Sequence, residues 1–391
     1  MILYISFINI IFPVFGLAVS LFYFFYKRMS SSADMQILFI NISYSLGVLG
    51  YLYIRRHETG DIYQYYLAFE SLKENLNFSE LYSEYSSYYF SWVSLLGIAA
   101  YFNLEFQKIN FICIFTIYIS ILTAFRKLYD DDQDITSIRI IFFKLMTMVS
   151  FITIISSYRN ILAFSISFLG LIYILKNKQY IVGLILIIVG IGFHPSSIII
   201  PISLLVSRVV LFRKKYLIVC LLLGMFIPKI LEIFTFNNAY FSTKINEYIY
   251  GQWATYSFNS LIDYSVFIGI YSFILFCFIA VIFLEKLKVS NPFKKDLLNF
   301  IFTYFSISIL FLQFKTISDR LMFSAGGFIL ILLGYFLFIN RMIYKKKITS
   351  LILLIIWYVY IDPQLINFKQ DSYSMGDGVN IIYSPIFSFF S

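Results

Sequence analysis

The chain has 391 residues, of which 60% are hydrophobic and only 13% charged, with a net charge of +9. Soluble globular chains carry about 25% charged residues, so this composition excludes a soluble multidomain protein and points to long apolar runs that cross a bilayer. The positive charge falls in short clusters between those runs, where the positive-inside bias accounts for it without nucleic acid.

Taken in chain order, the apolar runs predict spans at 2–26, 35–54, 106–125, 140–157, 160–175, 181–193, 196–212, 216–235, 262–284, 298–314, 321–339 and 348–361. The expected fold is therefore all-α: one polytopic transmembrane helical bundle of about 12 spans occupying residues 1–391. Residues 2–26 have no charged segment before them and exceed a signal-peptide core, so they read as a retained first span. Cys113, Cys220 and Cys277 all sit inside apolar runs and read as buried small residues, not as a disulfide framework. With only two histidines, His57 and His194, a His-rich metal site is not expected.

The basic clusters orient the bundle. With 27–34 inside, alternation also brings inside Arg126, Lys127 and Arg139; Lys176 and Lys178; Arg213 to Lys215; Lys286, Lys288, Lys294 and Lys295; and Arg341 with Lys345 to Lys347. Arg55-Arg56 is the exception and falls outside, and both termini come out extracytoplasmic. Residues 86–103 are apolar enough to cross, but a crossing there would turn most basic clusters outward. They are read as an interfacial or re-entrant helix, whose Tyr85, Tyr88, Tyr89, Trp92 and Tyr101 suit the headgroup zone.

The outer segments are then a long loop at 55–105, a second at 236–261 and the tail at 362–391. The first contains two helix-like stretches, Asp61 to Glu74 and Phe78 to Tyr89. The run Asp130-Asp131-Asp132-Gln133-Asp134 falls inside. It could suggest magnesium–diphosphate chemistry, but a short loop flanked by bases is read as solvated.

Charged groups at membrane depth are functional candidates by default. In this frame Arg56 and Asp61 follow the second span, Arg159 sits in one tight turn, His194 in another, and Lys315, Asp319 and Arg320 in a third. All face outward. Arg159 and Arg320 each begin an apolar helix, the wrong end for a cation by the helix dipole, which favours function over snorkelling. Arg56 could equally be an interfacial anchor, and Asp319 a partner for Arg320. His194 before Pro195 could be a turn residue or a general base. Several arginines around an outward cavity suit a phosphate or diphosphate, which guanidinium binds bidentately without losing its charge.

The segment from Arg56 through Gly60-Asp61 to Tyr65 resembles the signature that follows the second span in EpsG/Wzy-type polysaccharide polymerases. Here Asp61 follows Gly60 directly, where the family pattern has an intervening residue. Arg159-Asn160-Ile161-Leu162-Ala163 is similar to the family's arginine step, Gly192-Phe193-His194-Pro195-Ser196 to its histidine–serine turn, and Ser318-Asp319-Arg320 to its late arginine step. The long first outer loop with interfacial helices also resembles the GT-C class of membrane glycosyltransferases.

The resemblance implies an O-antigen, capsule or exopolysaccharide polymerase in the bacterial cytoplasmic membrane, acting on its outer face. Donor and acceptor would both be undecaprenyl-diphosphate-linked glycans, with a chain-length regulator and a flippase as possible partners and no cofactor or metal. It implies Arg159 and Arg320 at the diphosphate and Arg56 as a third contact. His194 would be the general base, and Asp61 the alternative base or the partner of Arg56. Tyr65 and Lys315 would be further substrate contacts. Other readings are an O-antigen ligase or polyprenyl-phosphate-sugar GT-C enzyme, a flippase or transporter of lipid-linked oligosaccharide, and an acyltransferase.

Overall fold

The computed structural model describes residues 1–26, 32–52, 61–75, 87–129, 158–210, 214–227 and 291–312 as continuous stretches, with 314–318, 320–321 and scattered positions elsewhere. All regular structure among them is helical. In order these are α1 (Ile2–Ile11), α2 (Pro13–Tyr26), α3 (Ser32–Leu52), α4 (Asp61–Asn75), a 3-10 turn at Ser87–Tyr89, α5 (Phe90–Tyr101), α6 (Phe106–Tyr129), α7 (Tyr158–Leu175) and α8 (Tyr180–Phe193). A second 3-10 turn at Pro195–Ile198 leads into α9 (Ile199–Val209), followed by α10 (Lys214–Gly224), α11 (Pro292–Leu310) and the four-residue α12 (Lys315–Ser318). Helices α3, α6 and α7 are long and apolar enough to cross a membrane. Exposed Ile181, Leu184, Ile185 and Ile188 on α8 and Leu205 on α9 form an apolar surface suited to lipid. The protein is a helical membrane protein.

The expected first span at 2–26 is two helices. The chain breaks at Phe12, where Pro13 cannot donate to a continuing ladder. It then doubles back: Asn9 Nδ2 donates to Ser20 Oγ at 2.8 Å, although eleven residues of unbroken helix would separate them by about 16 Å. Gly16 closes the hairpin, since a Cβ there would lie 2.6 Å from Asn9 Cα. Asn41 Nδ2 donates to Ser6 Oγ and Ser45 Oγ to Asn9 Oδ1, so α1 runs parallel to α3. Phe24 meets Phe39, so α2 runs antiparallel to it. With 10 and 14 residues, these helices are about 15 and 21 Å long, short of the about 30 Å hydrocarbon core. The hairpin is re-entrant, and it places the N-terminus at the same end of the bundle as Ser32, not at the opposite end as alternation implied. Single cysteines replacing Leu3 and Tyr26, in a background lacking the native cysteines, are therefore expected to react with an impermeant maleimide from the same side of the membrane. Labelling from opposite sides would restore one continuous span.

The long helices run between two ends. At one end Arg126 Nη1 donates to Ser32 Oγ at 3.0 Å, and Lys176 Nζ donates to Lys127 O. There too Arg208 pairs with Asp296 at 2.8 Å, and Asn291 caps α11 beside Lys294. At the other end lie Glu105, bonded by Tyr51 at 3.1 Å, together with α4, α5, the start of α7 and the end of α8. Arg126, Lys127, Lys176 and Lys294, all expected inside, thus share one end, and Tyr65, Arg159 and His194 share the other.

Helix α5 has 12 residues, about 18 Å, too short to cross; one side of it is buried on the bundle while Ile98 and Tyr101 are exposed. Helix α4 matches the expected Asp61 to Glu74 stretch. Its buried Ile62, Tyr65, Phe69 and Leu72 form one face at helical spacing. The spans expected at 140–157, 262–284, 321–339 and 348–361 lie largely or wholly outside the described residues, as do the acidic run 130–134, most of the 236–261 loop and the tail.

Candidate functional site

The site grows from one antiparallel helix pair. The chain turns between α7 and α8 through Lys176–Gln179, with Lys178 in the left-handed region at φ 58°. Gly170 and Gly183 then lie directly against each other, and Gly190 against Ala163 and Ser167. Small residues at these crossings let the backbones approach closely, as in membrane helix packing. The register carries the second and third residues of α7, Arg159 and Asn160, to the residue that follows α8, His194.

His194 is buried, with 6% of its surface exposed. It caps the turn that begins at Pro195: Ser196 N donates to its Nδ1 at 3.2 Å, and Ser197 Oγ to its carbonyl at 3.1 Å. Ser196 Oγ lies 2.8 Å from the same Nδ1 and 2.6 Å from Asn160 Oδ1. Burial is the chief cause that holds the imidazole well below its ordinary pKa, and the positive charges of Arg320 and then Arg159 push it further down. His194 is therefore neutral at physiological pH, with two guanidinium groups close enough to act on it.

Arg159 is held by rings. Its Cζ lies 4.5 Å from the Tyr65 centroid, 4.6 Å from Tyr89 and 5.8 Å from Trp92. These come from α4, the 3-10 turn and α5, so the helices of the first outer loop close over the start of α7. Tyr65 and Trp92 also pack on Tyr158, and Tyr89 packs edge-on against His194 at 5.7 Å. Gly192 permits this, because a Cβ there would meet Phe90 Cζ at 2.5 Å. A guanidinium lying against aromatic faces keeps its in-plane N–H groups available to acceptors. Arg320 lies near enough for its charge to act on His194. Buried Tyr304 on α11 donates to the carbonyl of the adjacent Leu321 and ties that segment down.

Of the residues singled out from sequence, the structure brings together Tyr65, Arg159, His194 and Arg320. Asp61 is the first residue of α4, four positions before Tyr65. Lys315 begins α12. Arg56 and Asp319 lie outside the described residues. Four residues given no role from sequence complete the site: Tyr89, Trp92, Asn160 and Ser196. Among the described residues no three His, Cys, Asp or Glu side chains gather as metal ligands would.

A half-buried arginine set among aromatic rings, a second arginine and a buried histidine thus lie together at one end of a helical membrane bundle. The family model of the EpsG family matches residues 48–375, which takes in all of these residues. The chain belongs to the EpsG family. Searches of curated proteins and of solved structures gave no match.

Proposed function

We propose that this protein is a membrane glycosyltransferase that polymerises undecaprenyl-diphosphate-linked oligosaccharide repeat units on the extracytoplasmic face of the bacterial cytoplasmic membrane. The observation that carries the reading is the convergence of Arg159 and Arg320 on His194, at the end of the bundle opposite the basic clusters. By the positive-inside bias the basic end is cytoplasmic and the site faces out.

In the reaction an acceptor-sugar hydroxyl oxygen forms a bond to the donor's anomeric carbon. The bond from that carbon to the diphosphate oxygen breaks, and its electron pair leaves with the lipid diphosphate. The hydroxyl proton passes to a base, for which the sequence offers His194 and Asp61. Charge grows on the diphosphate as the bond breaks, so fixed cations there stabilise the transition state more than the ground state. Arg159 and Arg320 fill that role, with Arg56 as a third contact. Tyr65 and Tyr89 hold Arg159 in place. Two arginines supply the positive charge that a divalent ion would otherwise bring, so activity is expected to persist in EDTA.

The test is reconstitution of the purified protein in vesicles with lipid-linked repeat units. The expected product is a ladder of lengthening lipid-linked glycans, with and without EDTA, and a strain lacking the protein should accumulate single repeats. Addition of one sugar only, transfer to another acceptor, or transbilayer movement without new glycosidic bonds would replace this reading with a sugar transferase, a ligase or a flippase.

A further inference from the structure

Resting on the glycosyl-transfer reading, we infer that His194 serves the reaction as a hydrogen-bond donor through Nε2–H, fixed in that tautomer by Ser196 and Asn160, and not as the base. The backbone N–H of Ser196 can only donate, and it points at Nδ1 from 3.2 Å. Nδ1 therefore carries a lone pair, and the proton of the neutral ring sits on Nε2.

The Ser196 hydroxyl agrees. It has one proton and two close neighbours, Asn160 at 2.6 Å and Nδ1 at 2.8 Å. Since Nδ1 has no proton to give, the 2.8 Å contact is a bond from Oγ–H to Nδ1. Oγ must then accept from Asn160, and it does so when the amide presents Nδ2. The opposite orientation, with Oδ1 toward Ser196, would set two acceptors 2.6 Å apart once Oγ–H is given to Nδ1. Turning the amide end for end, which scarcely alters its shape, produces the chain Asn160 Nδ2–H to Ser196 Oγ–H to His194 Nδ1.

The one lone pair of Nδ1 is thus shared by the N–H and the Oγ–H of Ser196 and Nε2 is protonated, so the ring has no lone pair left for a substrate hydroxyl proton. Nε2–H has no partner among the described protein groups. The charged and titratable groups facing the ring are Arg159 from α7, Arg320 and Tyr89. A third donor beside two guanidiniums suits the oxygens of a diphosphate. The proton of the attacking hydroxyl then goes to the Asp61 carboxylate, the other base the sequence offers. Asn160 and Ser196 are positioning residues that set the tautomer.

Two experiments test this. The first is ¹⁵N NMR of histidine-labelled protein carrying His57→Gln, which leaves His194 as the only histidine. A lone-pair-bearing Nδ1 and a protonated Nε2 are expected at neutral pH, with the Nε2 signal moving on addition of inorganic diphosphate. Ser196→Ala should mix the tautomers. A protonated Nδ1 in the wild-type ring would overturn the assignment whether or not the protein polymerises anything.

The second is the rank order of variants in the polymerisation assay. His194→Gln keeps an N–H near the Nε2 position and is expected within about tenfold of wild type. His194→Glu, which accepts a proton but donates none, should fall with His194→Ala by about 10²–10³ in kcat, the usual loss for one transition-state donor. Activity in His194→Glu above His194→Gln would restore the base and overturn the donor. Failure of the wild-type protein to polymerise would instead overturn the proposed function and leave the NMR result standing.

Discussion

Arg159→Ala in the membrane-inserted protein is expected to lower kcat for chain extension by about 10²–10³-fold, the loss seen when one preorganised transition-state donor is removed. Lipid-linked single repeats should accumulate in cells carrying it. The more telling variant is Arg159→Lys, which keeps the charge. A lysine ammonium is a compact point charge that neither stacks between two tyrosines nor presents two parallel N–H groups to phosphate. The guanidinium centre lies 4.5 and 4.6 Å from two ring centroids, and such a contact is worth about 2 kcal/mol when desolvated, more than the roughly 1.4 kcal/mol of a tenfold change. Arg159→Lys should therefore remain at least about tenfold below wild type. Tyr89→Phe should be mild, because the ring face survives, whereas Tyr89→Leu should move toward the Arg159→Lys phenotype. Assay of the purified variants with lipid-linked repeats reads all four. Wild-type rates in Arg159→Lys would mean that the ring stack contributes nothing beyond charge.

The aromatic clamp shows where sequence reading loses its grip. The chain has 46 Phe and 33 Tyr, so no single tyrosine stands out, and Tyr89 and Trp92 read only as headgroup-zone residues. Their role depends on how α5 docks on α8, which no local pattern specifies. By contrast, the meeting of Arg159 with His194 was open to sequence. A turn at Lys176–Gln179 between two apolar runs forces an antiparallel pair, and equal steps back along both helices bring Asn160 to His194. Asn160 and Ser196 could have been found in the same way, as polar neighbours facing each other across that register.

The N-terminal hairpin escaped for a different reason. Hydropathy averages over 2–26 and sees one run. Proline alone does not distinguish a kinked span from a reversal, because membrane helices tolerate it. The distinguishing signal is the small and polar set Asn9, Gly16 and Ser20, which would be costly facing lipid and is satisfied only when α1 folds onto α2. Among the described residues the basic clusters expected on one side do gather at one end of the bundle. Arg126, Lys127, Lys176 and Lys294 share one end because each lies at or beside a helix terminus, so alternation in sequence becomes alternation in space.

Gly190→Leu is expected to abolish activity without touching a catalytic group. A Cβ at Gly190 would stand 2.7 Å from the carbonyl oxygen of Ala163 and closer still to Ser167 Oγ. The serine can move, but the carbonyl belongs to the α7 backbone and cannot yield without shifting the helix. Overpacking of this kind costs about 1–3 kcal/mol, and the relief available is separation of α7 from α8 at the level nearest the site. That displaces Arg159 and Asn160 from His194, and misplacement by about 1 Å can cost about 10²-fold in rate. Leu186→Ala, on the same helix but one turn nearer the opposite end, trims a half-buried side chain and serves as the control for mere loosening. The measurement is polymerisation rate together with the His194 ¹⁵N signals. Gly190→Leu should lose both the rate and the signature of a donated bond at Nδ1, whereas Leu186→Ala should keep both. An active Gly190→Leu with an unchanged imidazole would show that the α7–α8 register does not hold the site together.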